Sequence, residues 1–299
     1  MNGTAQSETG TLTHLLVQHV RDAFQNQQTI ETQWKNLGFT SAPDLDRAVR
    51  EYDVFLEILN RAGARMDMLP AGKGLTLDSL YVRDASIACD RGVILCSMGK
   101  PARAHEPAAQ AETFRALNLP IVGSIEAPGR LEGGDVLWLD ERTIAVGRGY
   151  RTNAAGIEQL TALLGTSVDG TISVALPHWK GPGDVFHLMS IISPIDRDLA
   201  VVFSPLMPVE FRERLIDRGM TLIEVPDAEF ETMGANVLAI GPRRCVMVKG
   251  NPITRSRLEA AGVEVFEYEG REISIKGGGG PTCLTRPLSR QRSERSTRA

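Results

Sequence analysis

The chain has 299 residues, of which 42% are hydrophobic and 23% are charged, as in ordinary soluble globular proteins. Its formal net charge of −4 argues against a nucleic-acid-binding surface. No apolar run reaches the ~18 residues of a membrane span, and no secretory signal begins the chain. We therefore expect a cytoplasmic protein without nucleic-acid or membrane partners, and a homodimer is compatible with the sequence.

The N-terminal region predicts two strands separated by one long helix. The strands are expected at 12–17 and 66–69, and the helix at 45–62. Residues 21–40 fit no part of the pattern that follows them.

From residue 84 onward one pattern repeats: an apolar strand, a tight turn, a return strand, a helix and a short strand. The turns carry Asp, Gly and Pro, as strand reversals require, and the helices show apolar spacings of three and four. A last strand at Ile273–Ile275 would complete a fifth unit with the N-terminal strands. The four complete copies span 84–123, 135–175, 187–225 (first strand 187–192) and 235–266.

Units of this length cannot each bury a core, so they must pack around a common axis. We predict an α/β fold in which five strand–strand–helix–strand (ββαβ) units form a ring, an α/β propeller with helices outside. Residues 1–288 are then a single domain, and the basic, polar segment 289–299 is predicted to be a disordered tail. The polar residues that start each unit would face the centre.

Three of these starts carry chemically active side chains. Asp84 opens the first unit, Glu132-Gly-Gly-Asp135 the second and His187 the third. The glycine run 277–280 suits a sharp bend or close approach of the backbone, and it delivers Cys283. The other three cysteines lie in apolar strands and are interpreted as small buried hydrophobes. No cysteine spacing indicates a metal site.

This combination of side chains suits a planar cationic substrate. A cysteine needs a nearby cation to be a thiolate near neutral pH, and a histidine can act first as an acid and then as a base. Two carboxylates can hold a guanidinium group by paired hydrogen bonds. We therefore expect an amidine or guanidine substrate, with neither a metal nor an organic cofactor.

Five segments also resemble a known superfamily: 81–84, 101–103, 131–137, 151–153 and 187–190. They are similar to motifs of the guanidino-group-modifying enzymes, which fold as five-bladed rings called penteins. Within that superfamily the chain most resembles dimethylarginine dimethylaminohydrolases and arginine deiminases. The resemblance covers roughly residues 10–288.

The resemblance implies a role for each candidate residue. The implied product is citrulline with methylamine or dimethylamine, formed through a cysteine-linked thiouronium intermediate. Asp135 is a further substrate-binding candidate, or alternatively a turn or strand-end cap. The implied roles are nucleophile for Cys283, acid and base for His187, guanidinium clamp for Glu132 and Asp84, and α-carboxylate binding for Arg103 and Arg151.

Two departures from the deiminase pattern bear on the substrate. Met189 stands where deiminases carry an aspartate, and Thr282 where they carry an arginine, which favours N-methylated arginine as the substrate. The glycine-rich cysteine loop instead resembles deiminases. Arginine deiminase and amidinotransferase activities remain alternatives, as does a non-catalytic guanidine-binding protein.

Overall fold

A computed structural model describes residues 3–184 and 186–292, which contain sixteen strands and eight α-helices. The strands are β1 (Gly3–Thr4), β2 (Leu12–Val17), β3 (Arg65–Met68), β4 (Ser86–Cys89), β5 (Gly92–Leu95), β6 (Ile121–Ser124), β7 (Val136–Asp140), β8 (Thr143–Arg148), β9 (Gly170–Ala175), β10 (Ile192–Asp196), β11 (Leu199–Val202), β12 (Thr221–Glu224), β13 (Leu238–Gly241), β14 (Arg244–Val248), β15 (Glu264–Tyr268) and β16 (Arg286–Gln291). The helices are α1 (Val20–Phe24), α2 (Gln27–Leu37), α3 (Leu45–Arg61), α4 (Glu106–Ala116), α5 (Ala154–Leu164), α6 (Val209–Asp217), α7 (Asp227–Phe230) and α8 (Pro252–Ala260).

The strands form five small mixed sheets, and the predicted α/β class is confirmed. In four sheets an antiparallel hairpin is followed by a helical crossover and a third strand that pairs parallel to the second. In the fifth sheet β16 pairs antiparallel to β2, and β3 pairs parallel to β2. The C-terminal strand thus takes the place that the first hairpin strand has in the other sheets. The sheet orders are β1-β16-β2-β3, β4-β5-β6, β7-β8-β9, β10-β11-β12 and β13-β14-β15.

Helix α3 shows how the sequence pattern becomes packing. The Asp44 carboxylate accepts from the Arg47 N–H (2.8 Å) and caps the helix start. Tyr52, Phe55 and Leu59 recur at spacings of three and four and are fully buried against the N-terminal core. The previously unassigned residues 21–40 contain α1 and α2, which complete the same core.

Neighbouring sheets contact one another in a regular succession. Strand β16 contacts β4, β10 contacts β13, and β13 contacts β2. An antiparallel bridge between Ser97 and Leu131 joins the segment after β5 to the segment before β7. The segments that precede β4, β7 and β10 therefore lie close to one another.

The end of the chain differs from the prediction. Ile273–Ile275 is not a strand but part of a π-helical turn, Arg271–Ile275. The N–H groups of Glu272 and Ile273 donate to the Glu51 carboxylate instead of to a neighbouring strand. The closing strand is β16, so residues 289–291 belong to a sheet and not to the predicted tail, while residues 293–299 lie outside the described residues.

The third unit also starts later than predicted. Strand β10 begins at Ile192, whereas His187 precedes a single 3₁₀ turn at Leu188–Ser190. The Ser190 hydroxyl accepts from the His187 N–H (3.0 Å), and this local hydrogen bond replaces the sheet pairing that the apolar run predicted. Among the described helices, none has the length and apolarity needed to cross a bilayer.

Candidate active site

Cys283 lies on a loop that is anchored from both sides. Its thiol accepts from the Asn236 side-chain amide (3.5 Å), and its carbonyl accepts from the Arg83 N–H (3.2 Å). Asn236 also accepts from the Thr282 hydroxyl (2.8 Å). Cys283 is partly exposed, whereas the other three cysteines are buried. Among the cysteines it alone is accessible from the solvent side.

His187 and Glu132 form a buried ion pair. His187 Nε2 donates to Glu132 Oε2 at 2.7 Å, and both side chains are almost completely buried. The other Glu132 oxygen accepts from the backbone N–H groups of Gly99 (2.9 Å) and Lys100 (3.1 Å). Glu132 therefore fixes the orientation of the imidazole, and its own oxygens are occupied by protein donors.

Asp84 lies on the opposite side of the imidazole. Its Oδ1 is 4.0 Å from His187 Nδ1 and accepts from the Gly134 N–H (2.9 Å). Its Oδ2 accepts from Arg103 Nη1 at 2.5 Å. The His187 ring is thus flanked by two carboxylates, one on each nitrogen.

These contacts set the charges of the site. Burial disfavours a charged imidazole, but Asp84, Asp135 and Glu132 together raise the pKa of His187 to about 9. Burial raises the pKa of Asp84, whereas the charges of His187 and Arg103 lower it. The net result is a pKa below the usual range of an aspartate. The cation at His187 and the flanking carboxylates therefore stabilise each other near neutral pH.

The pKa of the Cys283 thiol is shifted away from the ionised form, unlike those of His187 and Asp84. Burial and the Asp84 charge raise its pKa, and the hydrogen bonds from Thr282 and Asn236 oppose this only in part. The predicted thiolate is therefore not favoured by the protein alone. A further cation bound beside Cys283 would lower this pKa.

Two cavities meet at Cys283 and His187. A narrow one of about 20 Å³ is also lined by Asp84, Lys100 and Arg151. A wider one of about 410 Å³ is also lined by Met189, Trp179, Phe230 and Asn236. Reacting groups are thus placed where a polar pocket joins a more apolar one.

Arg103 is engaged within the protein. Its guanidinium donates to Asp84, to both oxygens of Glu106 (2.8 and 2.7 Å) and to the Tyr81 carbonyl (2.8 Å). Arg103 therefore holds Asp84 in place, and it also lines the narrow cavity, where it was expected to bind the substrate carboxylate. Arg151 makes longer contacts, 3.2 Å to Glu132 and 3.4 Å to the Asp184 carbonyl, and faces the narrow cavity.

Asp135 lines neither cavity, which corrects the expectation that it binds substrate. It is fully buried, and its Oδ1 accepts from the Leu188 N–H at 2.9 Å. Burial raises its pKa to about 6, while His187 opposes this shift. Asp135 therefore acts as the cap of the turn that follows His187, as the alternative interpretation held.

Sequence reasoning missed Lys100 and Asn236. Lys100 Nζ donates to Asp78 (2.6 Å) and to the Leu37 carbonyl (2.7 Å) at the edge of the narrow cavity. A lysine next to a proline and an asparagine within an apolar run gave no motif signal. Their roles arise from contacts between residues far apart in the chain.

The cluster of Asp84, Glu132 and His187 has the spacing of metal ligands, because its ligand atoms lie within 4.8 Å of one another. However, His187 Nε2 already donates to Glu132, and Arg103 donates to Asp84. The first hydrogen bond needs a proton on Nε2, which leaves that nitrogen without a lone pair for a metal, and the second brings the cationic Arg103 next to Asp84. The donor set thus fits a proton-sharing cluster better than a metal site.

Comparison with known proteins agrees with this geometry. A family model described as eukaryotic N,N dimethylarginine dimethylhydrolase matches residues 21–290. The chain belongs to this family. It is 32% identical to the dimethylarginine dimethylaminohydrolase of Streptomyces coelicolor, over 80% of this chain and 84% of that one.

Solved structures show the same fold. The dimethylarginine dimethylaminohydrolase (DDAH) of Pseudomonas aeruginosa, in a mutant complexed with citrulline, has a TM-score of 0.75 and 23% identity, over 92% of this chain and 98% of that one. An amidinotransferase from Microseira wollei has a TM-score of 0.77 and 14% identity, over 96% and 97%. The resemblance seen in the motifs is confirmed. The chain is a hydrolase of the C–N bonds of guanidino or amidine groups.

We predict that Gly134→Ala inactivates the enzyme. A methyl group at this position would lie 2.6 Å from His187 Nδ1 and 2.8 Å from Asp84 Oδ1, so one of them must move. A displacement near 1 Å can cost ~100-fold in rate, and overpacking ~1–3 kcal/mol of stability. Turnover by ureido-product assay and unfolding by urea measure the two effects. The matched control is Gly170→Ala, whose methyl would be 3.9 Å from its nearest neighbour, Thr143. Equal turnover of both variants would contradict the close packing.

Proposed function

We propose that the protein hydrolyses N-methylated arginine to citrulline and the corresponding methylamine. The observation that carries the proposal is the position of Cys283 and His187 on shared cavities, with Asp84 beside them. We also propose that the five sheets close into one ring. Successive contacts among the sheets support this, and such a ring explains how three unit starts meet at one site.

The substrate guanidinium supplies the cation that Cys283 lacks. Because burial and Asp84 raise the thiol pKa in the free protein, a positive charge bound next to both groups lowers it again. Asp84 lines the narrow cavity and is the carboxylate placed to hold that charge. Glu132 contributes through His187 as a positioning residue, because its oxygens already accept from protein donors.

The reaction then proceeds in two balanced steps. The Cys283 thiolate bonds to the guanidinium carbon, and protonated His187 gives its proton to the methylated nitrogen, whose C–N bond breaks. The amine leaves, and a cationic thiouronium remains on Cys283. Neutral His187 next takes one proton from water while the water oxygen bonds to the same carbon. The C–S bond then breaks, and the proton left on that oxygen passes to the Cys283 sulfur, which releases the ureido product and restores the thiol and protonated His187.

We predict that Cys283→Ser lowers turnover of dimethylarginine by about 10³-fold or more, as removal of a nucleophile does elsewhere. Cys89→Ala is the control, since Cys89 is buried in β4 and its loss should cost only ~1 kcal/mol of stability. A colour assay for ureido product measures both variants. Retained turnover in Cys283→Ser would refute the covalent mechanism.

The position of Met189 supports methylated over unmethylated substrate. Met189 lies two residues after His187 and lines the wider cavity together with Cys283. A thioether packs against methyl groups, whereas it leaves an unmethylated N–H without a strong acceptor. An arginine deiminase would instead benefit from a carboxylate at this position.

We predict a higher kcat/KM for asymmetric dimethylarginine than for arginine. Met189→Asp should shift the preference toward arginine by ~10-fold or more, because a buried N–H regains a charged acceptor. Met189→Leu, which keeps the apolar surface, should retain the original preference. A wild-type kcat/KM for arginine equal to or above that for dimethylarginine would favour the deiminase alternative.

Three cations line the narrow cavity: Lys100, Arg103 and Arg151. Arg151 and Lys100 have donors available to hold an α-carboxylate. Arg151 has only long contacts, and two contacts of the Lys100 ammonium leave its third N–H for another acceptor. Arg103 also lines this cavity, but its guanidinium already pairs with Asp84 and with both oxygens of Glu106, so Arg151 and Lys100 are the stronger candidates.

We predict that Arg151→Met raises the KM for dimethylarginine by ~10–150-fold, the equivalent of one charge-assisted pair of ~1.5–3 kcal/mol. The decarboxylated analogue dimethylagmatine should show little change, which separates carboxylate binding from any effect on Glu132. Arg142→Met, at an exposed ion pair, serves as the control. Equal losses for both substrates would remove Arg151 from carboxylate recognition.

A further inference from the structure

Three arginines are buried close together: one precedes β4, and two lie in β16. Arg83 is 2% exposed, Arg286 is 5% exposed and Arg290 is 1% exposed. The charge of Arg83 lowers the pKa of both Arg286 and Arg290, so Arg83 lies close enough to each of them to repel its guanidinium group. This cluster takes no part in the proposed reaction.

Within the described residues, Glu8 is the one carboxylate paired with this cluster. It accepts from Arg83 Nη2 at 2.7 Å. Arg290 Nη1 donates to the carbonyls of Gly10 (2.7 Å) and Ala239 (2.8 Å), and Arg286 Nη2 donates to the carbonyl of Arg83. Carbonyl groups satisfy donors but do not neutralise charge.

Five nitrogen atoms of the cluster have no acceptor among the described residues. They are Nε and Nη1 of Arg83, Nε of Arg286, and Nε and Nη2 of Arg290. Buried donors of this kind are normally paired, and a guanidinium group does not lose its proton in proteins. Among the described residues Glu8 is the one carboxylate paired with the three guanidinium groups, so the cluster has an excess of positive charge that the nearby Asp84 offsets only in part.

Burial and mutual repulsion are unfavourable enough to affect ionisation. Burial is the main cause that lowers the pKa of Arg286 to about 9, and the charge of Arg83 adds to it. For Arg290, burial and the charge of Arg83 together outweigh the opposing charge of Glu8 and lower the pKa to about 10. An unpaired buried charge destabilises a fold more than a paired one does. A small anion would satisfy several N–H donors at once and offset part of the excess charge.

We propose that Arg83, Arg286 and Arg290 bind a monovalent inorganic anion, with chloride as the ligand. A spherical halide can accept from donors that approach from several directions, as nitrogens from three side chains do. Glu8 also lines a cavity of about 1010 Å³ whose lining includes neither Cys283 nor His187. Arg83 lines the wider cavity that contains Cys283 and His187, so the anion site borders the candidate active site but is built from other side chains.

The bound anion would also support the cysteine loop. Arg83 donates its backbone N–H to the Cys283 carbonyl, and the Arg83 carbonyl accepts from Arg286. Neutralising the cluster therefore stabilises the segment to which the loop is attached. The direct readout is stability, which does not depend on the identity of the substrate.

Thermal unfolding of the full chain in sodium chloride tests the proposal, with sodium gluconate added to keep the ionic strength constant. We expect a saturable rise of Tm of about 2–5 °C as chloride replaces gluconate. Arg290→Met should lose this chloride dependence, and Arg214→Met, at an exposed ion pair, should keep it. An unchanged wild-type Tm, or the same rise in Arg290→Met, would overturn the proposal.

Diffraction with bromide provides a second test if Arg290→Met does not fold. Wild-type crystals grown in sodium bromide should show an anomalous peak within hydrogen-bonding distance of at least two of the three arginines. Density at that point without anomalous signal would identify a water molecule and contradict the anion site. A peak without any halide dependence of Tm would mean binding at crystal concentration only and would also count against it.

Discussion

The buried ion pair between His187 and Glu132 is the interaction on which the site depends. Two ionised groups without solvent are costly unless each is further paired. Glu132 obtains backbone N–H donors, and His187 obtains a second carboxylate in Asp84, which Arg103 holds in turn. Because these residues precede different strands, the same pairs that stabilise the charges bring three units of the fold together. The same contacts therefore determine both the geometry of the candidate site and the packing of the three units.

The sequence was sufficient to predict the turns, helices and short strands that recur from unit to unit. Hairpin turns, helix periodicity and short apolar strands are determined by neighbouring residues, and four units were located from them. The polar starts at Asp84, Glu132 and His187 were identifiable because charged groups are unusual at the edge of buried strands. The family relationship followed from those same segments and is confirmed by comparison.

The predictions that differ from the structure concern residues whose conformation or contacts depend on partners distant in the chain. Ile273–Ile275 has the composition of a strand, but the Glu51 carboxylate accepts from its backbone and favours a helical turn. Residues 289–291 look like a polar tail, yet their backbone closes the N-terminal sheet. Arg103 has the expected motif, and only its contacts show that its charge is used inside the protein. Propensity cannot predict such choices, since tertiary pairing overrides it.

The raised pKa of Cys283 gives the site a physical basis for selecting cations. A thiol held as a thiolate in the free protein would react with many electrophiles, whereas here burial and Asp84 oppose its ionisation. In the reaction that we propose, a guanidinium group in the narrow cavity reverses this effect, because its charge lies next to both the thiol and the carboxylate. A neutral analogue of the same shape would bind without that effect and leave the thiol protonated. Binding and activation thus depend on the same charge, so the discrimination is made in the reactive step as well as in affinity.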